Sequence, residues 1–280
     1  MDWSRAKNLS IAVFFLLNVV LLFLNYLDSR QYILSNSNIN AITTVLDRNN
    51  ITLHDDFTFA QHQPRRQISF NQINISQNFL ANVFMINNTN IGISLEEEGG
   101  TLFFNEYEEV MFTQDYVLYR NIRNTSIHVN NYQEARIYAA GILSLLGDMG
   151  RYMVLDRSIT DGDTFVLEYR MAYRNSIIYS NFIIFTFRGG IIETIQFNYN
   201  TVNGFMGNPR EIRQADEIML AFMREIPGAD TEVLHMDIVY KNIGSVGIPH
   251  YRIRYRNAYS EATMLINAYT NIVTREAYYR

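Results

Sequence analysis

The chain of 280 residues carries 23 Lys and Arg against 28 Asp and Glu, a formal net charge of −5, and no cysteine. That balance argues against nucleic acid as a partner, and the lack of thiols excludes a disulfide framework and cysteine chemistry. With 48% apolar and 14% aromatic residues, the chain can bury sizeable cores in two or three small domains.

The first predicted element is a membrane-spanning helix over residues 9–27. Leu9 to Leu27 is uncharged and at about 1.5 Å per residue spans about 28 Å, close to the hydrocarbon thickness of a bilayer. An export signal has a shorter apolar stretch closed by a small-residue cleavage site, whereas this run ends in Asn25-Tyr26-Leu27-Asp28. It reads as an uncleaved signal anchor. Arg5 and Lys7 precede it, and Arg30 is the only basic residue after it until Arg48. The positive-inside rule then puts residues 1–8 in the cytoplasm and the bulk of the chain outside, with Trp3 and Tyr26 in the interfacial aromatic belts. A cysteine-free exterior suits an exported bacterial protein that does not rely on disulfides.

Asn18 and Asn25 interrupt the apolar run two helical turns apart, on one face with Ile11, Phe14, Leu21 and Leu22. Against a partner helix their amides would hydrogen-bond across the interface. The bland alternatives are a bond from Asn18 to its own helix backbone and solvation of Asn25 at headgroup depth.

Residues 28–50 read as a polar juxtamembrane stalk and a short helix, the latter from the spacing of Ile39, Ile42, Val45 and Leu46, stopped by Asn49-Asn50. From 51 to 130 the runs "RQISFNQINI", "FLANVFMI", "IGISLEEEGGTLFFN" and "YVLYRNI" predict a β-rich region punctuated by Asn-Asn and Gly-Gly turns. Residues 131–200 predict a helix, "EARIYAAGILSLLGDM", and then strands. Residues 201–280 repeat that order, with the helix "REIRQADEIMLAFMREIP" closed by Pro227. In the alignment of the two, Leu167, Tyr169, Arg170, Ala172 and Tyr173 fall on Ile253, Tyr255, Arg256, Ala258 and Tyr259, and the turn Gly189-Gly190 falls on Thr270-Asn271. Asn tolerates the left-handed backbone of such a turn, less readily than Gly. The predicted class is α+β: an N-terminal transmembrane helix, then antiparallel-sheet domains, the second half a duplicated helix-plus-sheet module.

Few residues suggest chemistry. The histidines (His54, His62, His128, His235, His250) lack metal-ligand spacing. Gly99-Gly100 and Gly189-Gly190 read as hairpin turns, and Asp161-Gly162-Asp163 as a turn without the rest of a calcium loop. Glu96–Glu98 is a solvated edge or, less simply, a cation site. No catalytic residue, cofactor or metal is assigned, and the chain reads as non-enzymatic; a hydrolase would need carboxylates converging from distant segments. In "HYRIRYRNAY", Arg252, Arg254 and Arg256 alternate with Tyr251, Ile253 and Tyr255. That alternation puts the arginines on one sheet face, which is either open to an acidic partner or solvated among other charges.

The start Met1-Asp2-Trp3-Ser4 with an immediate membrane helix, and the ending "PHYRIRY…LINAYTNIV", resemble the YycI (WalI) family of Gram-positive accessory proteins, related to PepSY-like modules. Asn271 stands where such modules commonly carry glycine at the last hairpin. The resemblance implies a membrane-anchored regulator, partnered by a YycH-like sister protein and a YycG (WalK)-type sensor histidine kinase that controls cell-wall metabolism, with transmembrane contacts important. A tethered PepSY-like protein that binds a protease or envelope component is the alternative.

Overall fold

A computed structural model describes residues 3–71, 75–86, 90–95, 100–123, 128–226, 230–258 and 260–274, and for 4–6 and 25–30 only the backbone. The helices are α1 (Trp3–Arg30), α2 (Asn36–Asp47), α3 (Gln77–Phe84), α4 (Tyr132–Leu145), α5 (Asp148–Arg151) and α6 (Ala215–Glu225). The early strands are β1 (Ile51–Leu53), β2 (Arg65–Asn71), β3 (Gly92–Leu95), β4 (Thr101–Phe104), β5 (Glu108–Phe112) and β6 (Val117–Asn121). Then come β7 (Met153–Asp161), β8 (Thr164–Tyr173), β9 (Ser176–Arg188), β10 (Ile191–Asn198) and β11 (Thr201–Arg210). Last are β12 (Thr231–Ile243), β13 (Val246–Asn257), β14 (Glu261–Asn267) and β15 (Val273–Thr274). The fold is mixed α+β and mostly sheet.

The chain divides into two units that are not consecutive in sequence. The first holds residues 1–66, 208–238 and 249–280, and the second holds 67–207 and 239–248. The expected boundary near 130 does not separate units, because β6 before it pairs antiparallel with β10 after it (Ile195 opposite Tyr119). Nor does one fall at 200, since β11 leaves the second unit only after Gly207.

In the first unit α2 is capped by Ser35, whose side chain accepts from the Asn38 N–H. The Ser-Asn-Ser-Asn stretch expected as stalk is therefore partly helix start, the role that a side-chain oxygen ahead of the first turn favours. The helix ends at Asp47, and Asn50 takes φ of 58°. β1 runs parallel to β12 (Ile51 opposite Thr231), and β13 runs antiparallel to β14 (Tyr251 opposite Ile266). Ile42 and Leu46 of α2 meet Ile218 and Phe222 of α6 over Val233, Tyr251, Ile253 and Ile266. The helix expected from Arg210 begins only at Ala215, leaving Glu211–Gln214 as a loop.

In the second unit β7, β8, β9 and β10 form an antiparallel meander, and β10, β6, β5, β4 and β3 continue it. The run "FLANVFMI", expected as a strand, is α3. Ser76 accepts from the Phe79 N–H, and Leu80, Ala81 and Phe84 are buried together at helical spacing. A capped apolar face packed on a core overrides the strand-like composition. β9 carries a bulge: Arg170 pairs with Phe182 but Met171 pairs with Ile178, so Tyr179, Ser180 and Asn181 are looped out. Asn181 closes the bulge, donating to the Asn200 carbonyl at 2.7 Å and accepting its N–H at 3.0 Å. Arg170 lies 3.6 Å over the Tyr179 ring and donates to the Tyr179 carbonyl.

α4 is followed by α5 and then β7 to β10, and α6 directly by β12 to β15. The turns aligned in sequence both use left-handed backbone, Gly189 and Gly190 at φ 60° and 79° and Asn271 at 62°.

Candidate functional site

α1 extends over 28 residues, about 42 Å at 1.5 Å per residue. Its window Lys7–Leu24 is long and apolar enough to cross a membrane and is unburied by the rest of the chain, which fits a single-pass anchor. Ile11, Phe14, Asn18, Leu21 and Leu22 share one exposed face. The Asn18 amide donates to the Phe14 carbonyl at 2.8 Å, which uses one of its two N–H groups within its own helix. The Asn25 side chain lies outside the described residues.

The arginine row of β13 is not an open basic face. Arg252 is buried, and its Nε and Nη2 donate to the two Asp237 carboxylate oxygens at 2.8 and 2.7 Å. Arg254 is half-buried. Arg256 is exposed but donates to Glu261, its register partner on β14, at 3.0 Å, and lies 3.8 Å from Glu232 of β12. Carboxylates on both flanking strands meet the arginines, while Tyr251 and Ile253 enter the core on the other face.

Buried polar groups in the second unit belong to its core. The Tyr119 hydroxyl donates to Glu108 at 3.0 Å, and the Ile86 N–H donates to the same carboxylate oxygen at 3.2 Å. Burial, then the charge of Glu108, pushes the Tyr119 and Tyr138 hydroxyls far above the ordinary tyrosine value. At the start of α4, Glu134 accepts from the Asn130 backbone N–H while Asn131 accepts from the Glu134 N–H, a reciprocal cap. The Asn130 backbone N–H, and then the Asn130 and Asn131 side-chain amides that also donate to it, hold the Glu134 carboxyl below the usual range. Among the described residues no group of three or more His, Asp or Glu side chains is placed to hold a metal ion. Glu96–Glu98 lies outside the described residues, and Asp161-Gly162-Asp163 is the β7–β8 hairpin turn, with Gly162 at φ 59°.

Among the described residues the first unit has a cleft of about 540 Å³. Gln31 and Tyr32, the residues that directly follow α1, form one wall with His62. Glu211, Ile212, Arg213 and Gln214, the loop ahead of α6, form another, and Glu217 and Tyr269 complete the lining. Each wall is fixed by backbone bonds. His62 N–H donates to the Tyr32 carbonyl at 3.1 Å, and Arg213 N–H to the Ala268 carbonyl at 2.8 Å. The Tyr251 hydroxyl donates to the Arg213 carbonyl at 2.6 Å, and the Tyr269 hydroxyl to the Arg65 carbonyl at 2.9 Å. The Tyr32 and His62 rings meet edge to face at 5.9 Å, and the Arg210 guanidinium lies 4.7 Å over the Tyr269 ring. Arg213 lies 3.4 Å from Glu217.

None of these residues figured as a site in the sequence. They come from segments distant along the chain, and no spacing rule joins them. The one local signal is the start of α6, where the extended Gln214 is followed by the acidic first turn Asp216-Glu217.

No protein-family profile matches this chain, and no curated protein matches it. Several solved structures are similar, two of which show the extent of the likeness. An uncharacterised protein from Eubacterium rectale is 11% identical, with a TM-score of 0.52 over 81% of this chain and 91% of that one. The C-terminal domain of Bacillus megaterium YpeB is also 11% identical, with a TM-score of 0.40 over 74% of this chain and 97% of that one. The first likeness is one of fold alone, and the second is too distant to support more.

Proposed function

We propose that the chain is a membrane-anchored, non-enzymatic regulator of a sensor histidine kinase of the YycG (WalK) type, acting with a YycH-like sister protein in the control of cell-wall metabolism. One observation carries the reading: α1 is long and apolar enough to span a bilayer, and over Lys7–Leu24 none of it is buried by the described residues. That exposed apolar surface suits packing against another helix in the bilayer. The YycI-like start and ending support the kinase partner, while Asn271 at the final hairpin departs from the glycine that PepSY-like modules commonly carry there. The recurring order of helix and strands is taken as a duplicated PepSY-like module. By the positive-inside rule, Arg5 and Lys7 ahead of the apolar run favour a cytoplasmic N-terminus, with residues 31–280 outside.

In this scheme the face of Ile11, Phe14, Asn18, Leu21, Leu22 and Asn25 packs on a kinase helix. The outer units pair with the sister protein. Their state biases the kinase by packing better against one of its two conformations than the other, since only a differential contact shifts an equilibrium. The test is a membrane two-hybrid assay with the kinase, run with the native chain and with 9–27 replaced by polyleucine. Signal with the native helix and loss with polyleucine is the expected result. No signal from the native chain, with the sister protein present, contradicts it and favours a tethered PepSY-like protein with no kinase partner.

A further inference from the structure

We infer that the cleft of the first unit is a binding site for a small zwitterion, an α-amino acid or short peptide bearing both an ammonium and a carboxylate. At about 540 Å³ it falls in the range of sites for small ligands. Its charges come in both signs. Glu211 and Glu217 offer acceptors to an ammonium, and Arg213 offers donors to a carboxylate. A ligand of a single charge would answer only one of these sets, whereas a zwitterion answers both.

The Arg213–Glu217 pair is open to competition. The groups are 3.4 Å apart and about half exposed, 53% and 45%, so each can exchange its partner for a ligand group with little loss. A further group in the lining awaits a partner: the His62 Nδ1 is buried without a hydrogen bond. The rings of Tyr32, His62 and Tyr269 supply the apolar walls that such sites use around a few polar groups.

The placement gives the site a consequence. Gln31 and Tyr32 line it and follow the last residue of α1, so an occupant touches the segment that leads into the membrane helix. As a sensory input to a kinase this rests on the regulator reading; binding itself does not.

Calorimetric titration of the full-length chain in nanodiscs tests it, with a mixture of the twenty standard amino acids, with trialanine, and with acetate and ethylammonium as half-ligands. Saturable binding of the amino-acid mixture or of trialanine is expected, at least tenfold tighter than either half-ligand, and which of the two binds separates a free amino acid from a peptide. Glu211→Gln and Arg213→Gln, whose side chains reach solvent, should each weaken that binding at least tenfold with the melting temperature unchanged. Absence of binding by both zwitterionic probes, equal binding of a half-ligand, or affinity unaltered in both variants overturns the assignment. A zwitterion that binds while the two-hybrid signal is absent leaves the site standing and removes the kinase reading alone.

Discussion

Tyr119 and Glu108 are both buried, with the hydroxyl donating to the carboxylate at 3.0 Å. Tyr119→Phe keeps the ring and deletes that donor. Stability should fall by about 2 kcal/mol, the range for a hydrogen bond to a charged group, read as a lower urea midpoint with the slope unchanged. The same hydroxyl, with those of Tyr138 and Tyr251, is pushed well above the ordinary value chiefly by burial. Below about pH 10 the folded and unfolded chains hold these protons alike. Above it the unfolded chain releases them and the folded chain does not, so each such tyrosine removes about 1.4 kcal/mol of stability per pH unit. Urea midpoints should be level between about pH 8 and about pH 9.5 and drop steeply beyond, with a shallower drop in Tyr119→Phe. A flat alkaline limb would show these hydroxyls to be solvated. Asp237→Asn breaks the two-pronged contact to buried Arg252 and should cost about 2 kcal/mol, since it leaves a buried guanidinium without its counter-charge.

At the scale of elements, α5 approaches α4 so closely that a Cβ on Gly150 would stand 1.9 Å from the Leu143 carbonyl oxygen. Backbone cannot yield as a side-chain tip does. Gly150→Ala should destabilise the second unit by about 3 kcal/mol, measured by denaturation followed through near-UV circular dichroism. Sequence pattern located most strands, because long alternating runs such as "DTFVLEYRMAY" leave little choice, and it placed the turns at Gly189-Gly190 and Asn271. It failed at α3, where eight residues rich in Phe and Val look strand-like and only Ser76 and the Leu80–Phe84 spacing mark a helix. It failed again ahead of α6, whose charged preceding residues continue a helical pattern that the backbone does not follow. The buried Arg252 was hidden for a different reason. Alternation assigns a face, but the carboxylate that covers it sits on the neighbouring strand.

At the scale of the whole molecule, the helix long and apolar enough to cross a membrane was legible from one uncharged run, while the two units were not. Each draws on segments on both sides of the other in sequence, so no composition shift marks their limits, and the cleft is assembled only when they fold. The absence of cysteine makes topology directly measurable. A single cysteine at Ser4 and another at Ser260 should divide, the outer one alone reacting with a membrane-impermeant maleimide on intact cells. Labelling of the inner one would reverse the orientation. Asn18→Leu should weaken helix pairing about threefold to thirtyfold, the worth of one interhelical hydrogen bond in a bilayer.

The most direct test of the regulator account is cysteine-scanning crosslinking of α1 to the kinase's membrane helices in whole membranes. Cysteines at Ile11, Phe14, Asn18 and Leu22, and at Leu16 and Val20 on the opposite face, would each be paired with a reporter cysteine on the kinase. Crosslinks confined to the face of Asn18 are the predicted result. Crosslinking from both faces alike, or from neither, would contradict a regulator that works through this helix.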